Sequence, residues 1–243
     1  MQGHYCVQSP GFDLNVKDLK REEVWAHDFD SLLAINAVPK FNSVRISNDH
    51  TSGQKKGAIS PIAAVGDNDL AIGRFIEHLS QSPIWKESVV FILEDDAQNG
   101  PDHIDAHRSP VFVAGPYVKR NAVIHGMYST SGVLRTIELI LGLPPMSQYD
   151  AAAMPLYECF TSTPDTRPYV AKAPTVDLEK RNVAVNESSK RSALFNFAKE
   201  DAAPDIDLNE VIWKYVKGEN SVMPAPKRSA FVILEEKKEQ DDD

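Results

Sequence analysis

Carboxylate and imidazole side chains are concentrated directly after a strongly apolar run of the sequence. Three consecutive acidic residues, 94–96, follow the apolar run 89–93. Five more charged or imidazole residues follow by position 108: Asp102, His103, Asp105, His107 and Arg108. Adjacent carboxylates repel one another, so a divalent cation would stabilise them, with imidazoles as further ligands or as substrate contacts. A solvated acidic loop is the alternative that composition leaves open.

A second polar cluster, 48–51, follows a stretch that alternates apolar and polar residues, 41–46. It contains Asn48, Asp49, His50 and Thr51. An Asn-Asp pair alone is ordinary turn chemistry. Ligands of open α/β sheets bind beyond the carboxyl ends of strands, so two such clusters after two predicted strands indicate a site.

The elements that would position these clusters alternate between strands and helices. Apolar spacing predicts helices over 18–35, from Asp67 to about residue 79, over 129–141 and over 207–216, and strands over 41–46, 89–93 and 111–114. This order predicts an α/β fold with a layered, mostly parallel sheet and helices on both faces. We expect a domain over 1–165 and an extended region over 166–243 that carries a short helix and the acidic tail 235–243.

Composition excludes some classes of protein. The net charge of −9 over 243 residues argues against a general nucleic-acid binder, which would present a basic face. Apolar runs are too short for a membrane span.

The two cysteines, Cys6 and Cys159, would form either one disulfide or two thiols. The sequon 186–188 is a pattern that arises often by chance. The oligomeric state is left open.

Several motifs, in order, resemble bacterial phosphoesterases of the alkaline phosphatase superfamily, and more narrowly the branch with phospholipase C and acid phosphatase relatives. The similarity extends over about residues 12–169. The motifs that carry it are 48–53, 67–69, Trp85, 94–103, 107–108 and 134–146. The resemblance implies a partial alkaline-phosphatase-like sheet sandwiched by helices, hydrolysis of phosphate esters at one or two metal ions, and a periplasmic or secreted location.

The resemblance also implies roles for individual residues. Asp95, Asp96 and Asp49 would be ligands of a divalent ion, which would be zinc, manganese, calcium or iron. His50 and His107 would be catalytic, and His103 and Arg108 would contact the phosphate ester. His103 is an alternative to His107.

The sequence departs from these relatives in one respect. They carry a Glu-Asn metal motif and then a Ser or Thr nucleophile in an amino-terminal segment, and neither is seen ahead of the 48–51 cluster in this chain. We therefore expect a carboxyl-terminal portion that is competent only together with that segment, and we do not expect Thr51 to replace the nucleophile. The alternative is a non-catalytic, metal- or partner-binding remnant of the fold.

Overall fold

The computed structural model describes residues 5–97 and 99–228. In chain order these residues form α1 (Asp18–Ala34), α2 (Pro61–Gln81), β1 (Val90–Leu93), β2 (Val111–Ala114), α3 (Thr130–Leu141), α4 (Gln148–Ala152), α5 (Glu187–Leu194) and α6 (Asp205–Lys217). Short 3₁₀ turns lie at Asn48–His50, Trp85–Glu87 and Tyr157–Cys159. No helix in the described part of the chain is both long and apolar enough to cross a membrane.

The chain divides into two compact units, each assembled from separate stretches of sequence. Among the described residues, unit 1 comprises 5–50, 64–93 and 111–178. Unit 2 comprises 51–63, 94–97, 99–110 and 179–228. The acidic tail 235–243 lies outside the described residues.

Helices with strong local signals form where the sequence predicts them. The prediction of α1 over 18–35 is confirmed within a residue, and α6 covers the predicted 207–216. The helix α3 begins after Ser129, whose side chain accepts a hydrogen bond from the backbone N–H of Gly132. It ends at Gly142, which has a φ of 69°. A serine cap is a local signal for the start of a helix and a left-handed glycine for its end, so tertiary packing is not needed to place the ends of α3.

The predicted start of α2 at Asp67 is wrong. The helix begins at Pro61, and proline is favoured at the first helical position because its missing N–H would have no partner there. Asp67 therefore lies inside the helix and does not cap it. Its buried carboxylate accepts a hydrogen bond from the backbone N–H of Asp18 at 2.6 Å.

The sheet differs from the predicted layered, mostly parallel arrangement. In the described residues it has two strands, and β1 pairs antiparallel with β2 from Val90↔Ala114 to Leu93↔Val111. A parallel pair needs a long crossover that is usually helical, whereas the connection over 94–110 contains no helix among its described residues. Residues 41–46, predicted as a strand, are irregular and mostly exposed. The part of the predicted fold that the structure supports is a mixture of helices with a small sheet.

The described residues of unit 1 include two hydrophobic clusters. One is centred on Phe29, Leu79 and Trp85, and the other on Val133, Leu156 and Cys159. Cys159 and Cys6 are both free thiols, which settles the alternatives left open by the sequence in favour of thiols. Burial raises the pKa of the Cys159 thiol above its ordinary value.

Unit 2 packs the segment after the 48–51 cluster against the last two helices. The side chains of Leu208 and Val211 in α6 are almost fully buried. Gln54 donates from its backbone N–H to Ser192 Oγ at 2.9 Å and from Nε2 to the Val211 carbonyl at 2.9 Å. The segment around Gln54 is therefore fixed by helices that lie far along the sequence.

Candidate active site

The connection between β1 and β2, residues 94–110, contains five of the seven predicted site residues: Asp95, Asp96, His103, His107 and Arg108. We call it the acidic loop. Its base is closed by a hydrogen bond from Glu94 N–H to the Pro110 carbonyl at 3.4 Å. Asp95 and Asp96 are exposed, and the Asp96 backbone N–H points to Asp95 Oδ1 at 3.2 Å.

Asp102 organises the middle of the acidic loop. Its Oδ1 accepts from the backbone N–H groups of Ile104 at 2.6 Å and Asp105 at 3.0 Å. Its Oδ2 accepts from Nε and Nη2 of Arg108 at 3.2 and 3.0 Å. Burial alone would raise the pKa of Asp102, but these hydrogen bonds outweigh it and hold the pKa below its ordinary value. Any contact of Arg108 with phosphate therefore has to share this ion pair.

His107 is held by a buried carboxylate. Its Nδ1 lies 2.7 Å from Asp105 Oδ1, which also accepts from the His107 backbone N–H at 2.9 Å. The Asp105 side chain is 5% exposed, whereas that of His107 is 56% exposed. An ionised carboxylate accepts the proton on Nδ1, which leaves Nε2 to act as a base or ligand. The imidazole is thus oriented on a fixed support and accessible to solvent.

The chain after α6 supports the acidic loop. The Ala106 backbone N–H donates to the Lys227 carbonyl at 2.6 Å, and Arg228 Nη2 donates to Asn99 Oδ1 at 3.4 Å. The sequence predicts only an extended region here, so this support was missed. Pairing across more than a hundred residues leaves no local sequence signal.

The metal prediction can be compared with the donor positions. Across residues 5–97 and 99–228, no group of three or more His, Cys, Asp or Glu side chains is placed so that it could hold a metal ion. As placed, the carboxylates of the acidic loop do not form a complete ligand set. His103 is exposed on the same loop.

Asp49 and His50 lie in unit 1, on the 3₁₀ turn Asn48–His50. Asp49 Oδ1 accepts from Asn68 Nδ2 at 3.0 Å. The ring of His50 meets the ring of Phe12 edge-on, with centroids 5.6 Å apart. Both predicted residues are half-buried. The Asn48–His50 turn belongs to unit 1 and the acidic loop to unit 2, so the geometry of each is described by itself.

Thr51 follows His50 and has an unusual backbone. Its φ is 60°, a left-handed conformation that β-branched residues rarely adopt. The side chain is buried, and its Oγ1 accepts from the Gly53 backbone N–H at 3.0 Å. Strained backbone of this kind is often found next to functional residues.

The sequon residue Asn186 and the helical residue His78 have structural roles. The sequon residue Asn186 is the N-cap of α5, where it forms a capping box with Ser189, and its Nδ2 donates to Glu219 Oε2 at 2.9 Å. His78 pairs through Nε2 with Asp30 at 2.8 Å on the surface of unit 1.

Comparison with known proteins gives the class. The model of the Phosphoesterase family matches residues 8–144, which include the Asn48–His50 turn and the whole acidic loop. The match covers more than half of the chain, so this protein belongs to the phosphoesterase family, and membership supports hydrolysis of phosphate esters. No curated protein and no solved structure matches the chain.

Proposed function

We propose that this protein hydrolyses phosphate esters with the aid of a divalent metal ion, and that the acidic loop carries the central part of its site. The observation that carries the proposal is His107, which is oriented by a buried carboxylate, exposed to solvent, and located within the matched region. An imidazole held in this way is a suitable general acid or base.

The remaining roles follow the predicted assignments. Asp95, Asp96 and Asp49 would be ligands of zinc, manganese, calcium or iron. His50 and His107 act on the phosphoryl group, and His103 and Arg108 bind it. A bound cation would neutralise the charge of the phosphate, which allows an acidic protein to bind an anion.

The finer assignment to the alkaline phosphatase superfamily, in its phospholipase C and acid phosphatase branch, is part of the proposal and rests on the motifs 48–53, 94–103 and 134–146. In that arrangement β1 would belong to a larger, layered sheet, and a further segment would supply the nucleophilic hydroxyl and the remaining ligands. The buried Thr51 hydroxyl, which accepts a backbone hydrogen bond, supports assigning the nucleophile elsewhere.

The proposal is tested by the release of phosphate from an aryl phosphate in the presence of Mn²⁺, with the wild type, His107→Ala and His125→Ala compared. His125 is an exposed histidine outside the acidic loop and serves as the matched control. General acid–base groups contribute roughly 10²–10⁴-fold to rate, so if this chain releases phosphate without a further segment, we expect His107→Ala to lose at least about 10²-fold and the control to be unaffected.

Binding of inorganic phosphate distinguishes a chain that is a working enzyme by itself from one that carries an incomplete site. Turnover that depends on His107 would show a working enzyme and would contradict the need for a further segment. Phosphate binding that depends on His107, without turnover, would support an incomplete site. Equal behaviour of the wild type and His107→Ala in both assays would refute the proposal.

A further inference from the structure

A buried carboxylate at the start of α1 holds the turn that carries His50. Asp18 is 0% exposed, and its Oδ1 accepts from the Ser47 backbone N–H at 3.0 Å. Its Oδ2 accepts from the Asn48 backbone N–H at 2.8 Å. The entry to the Asn48–His50 turn is therefore bound to α1 by a single side chain.

Asn68 extends this attachment to Asp49. Its Nδ2 lies 3.0 Å from Asp18 Oδ2 and 3.0 Å from Asp49 Oδ1. A side-chain amide has two N–H donors, and the geometry directs one to each carboxylate. Asn68 thus fixes the rotamer of the carboxylate next to His50.

Arg21 holds the other side of His50. It is 4% exposed and pairs with Asp18 through Nη1 at 3.1 Å. Its Nη2 donates to the carbonyls of Gly11 and Asp13, both at 3.0 Å. Phe12, whose ring meets that of His50, lies between these two carbonyls. The same buried ion pair therefore fixes both the turn beneath His50 and the aromatic ring beside it.

The buried charges of this network hold the neighbours of His50 in place and add little to stability. Burial of an ion pair is a poor source of stability, because desolvation offsets the Coulombic attraction. Its hydrogen bonds end on the backbone of the 47–48 segment, on Asp49 and on the loop that carries Phe12, which are the neighbours of His50. A second buried carboxylate, Asp67, accepts from Asn48 Nδ2 at 3.0 Å and completes the support of the turn.

We propose that Asn68, fixed by the Asp18–Arg21 ion pair, is a positioning residue that holds Asp49 and His50 in the geometry needed for phosphate-ester hydrolysis. The inference rests on the proposed function, and it gives a role to Asn68, which lies in the motif 67–69 and has no predicted role of its own. Asn68 touches no reacting atom and acts through Asp49.

The test compares Asn68→Ala with Asn42→Ala. Asn42 is exposed, and its Nδ2 makes one local hydrogen bond to the Pro39 carbonyl at 2.8 Å, so the control removes the same chemical group away from the turn. Small misplacements in an active site lower rates by up to about 10²-fold. We expect Asn68→Ala to lower kcat about 10-fold on an aryl phosphate, with KM within about twofold, and Asn68→Asp to lose more because it adds a third carboxylate.

A second measurement makes the test independent of turnover. Ring ¹H–¹⁵N spectra, with the His50 signal assigned from His50→Gln, should show that signal shifted or broadened in Asn68→Ala and unchanged in Asn42→Ala. An unchanged His50 signal in Asn68→Ala would overturn the proposal, whatever the activity. If the chain alone shows no turnover, the affinity for inorganic phosphate replaces kcat and is expected to fall about tenfold.

The remaining outcomes distinguish this inference from the proposed function. If His50→Ala lowers turnover or phosphate affinity and Asn68→Ala does not, the positioning role is wrong and the proposed function stands. If neither variant changes them, the proposed role of His50 fails and the positioning role fails with it. A lower Tm of Asn68→Ala with unaltered kcat would mark a purely structural residue and would also overturn the inference.

Discussion

Replacing Asp105 with asparagine tests how the acidic loop prepares His107. The substitution keeps the size of the side chain and an oxygen that can accept from Nδ1. It removes the negative charge that lies 2.7 Å from the imidazole. The carboxamide of the asparagine can also turn its NH₂ group towards Nδ1, which would favour the tautomer with the ring proton on Nε2.

The size of the effect follows from the geometry. A hydrogen bond to a charged group contributes roughly 1.5–3 kcal/mol. The His107 side chain is 56% exposed, so solvent screens the interaction and the lower end of that range applies. A loss of about 1.4 kcal/mol corresponds to about a tenfold lower kcat/KM. His107→Ala should lose considerably more, because it removes the reacting group.

The assay is kcat/KM on an aryl phosphate, or the affinity for inorganic phosphate, with Asp30→Asn as the matched control. Asp30 pairs with His78 at 2.8 Å outside the site, so the control breaks the same type of contact. Ring ¹⁵N shifts report the His107 tautomer directly. If Asp105→Asn stays within twofold of the wild type while His107→Ala is strongly impaired, the orienting role assigned to Asp105 is wrong.

Three further predictions concern stability. Gly53→Ala should destabilise the chain more than Gly57→Ala, by about 1–3 kcal/mol in urea unfolding, because both glycines have positive φ but only at Gly53 would a Cβ lie 2.9 Å from Ser192 Oγ; equal losses would contradict the packing described for unit 2. Ser129→Ala should lower the free energy of unfolding by about 1 kcal/mol through loss of the α3 cap, and no change would show that the cap is dispensable. Burial raises the pKa of Asp67, so its stability contribution is full below the ordinary pKa of 3.8 and is lost as pH rises through the raised pKa; Asp67→Asn should flatten the fall of Tm as pH rises above that ordinary pKa, and parallel curves would refute this.

Much of the helical structure was predictable because its signals are local. The apolar spacing of α1 and the Ser129 and Gly142 caps of α3 operate within a few residues. The predicted start of α2 at Asp67 is wrong although Pro61 is a valid local signal further upstream. The acidic side chain of Asp67 is accommodated inside the helix only through the distant backbone of Asp18.

The sheet and the units depend on contacts that a single sequence does not reveal. An apolar, β-branched strand such as β1 suits a parallel or an antiparallel neighbour, and the connection, not the strand, decided the pairing. Gln54 is buried by Ser192 and Val211, and this packing joins segments far apart in sequence. The predicted domain boundary near residue 165 stays a prediction.

For the site, the sequence predicted which residue types occur together but not which atoms meet. That the acidic loop carries histidines and carboxylates after β1 is visible in the sequence itself. The partners of His107 and Arg108 are not, because Asp102 and Asp105 resemble further members of one charge cluster. The spacing of Asp105 and His107, two residues apart, was the available signal for their pairing. The predicted site roles themselves stay predictions.

The most direct measurement of the central claim is phosphate release from an aryl phosphate by chelator-treated protein, before and after Mn²⁺, Zn²⁺ or Ca²⁺ is added, or the binding of phosphate under the same conditions. The account predicts that one of these ions restores phosphate release or phosphate binding, and that the ion does not restore it in Asp95→Ala. A signal that persists without metal, or one that Asp95→Ala leaves intact, would contradict it.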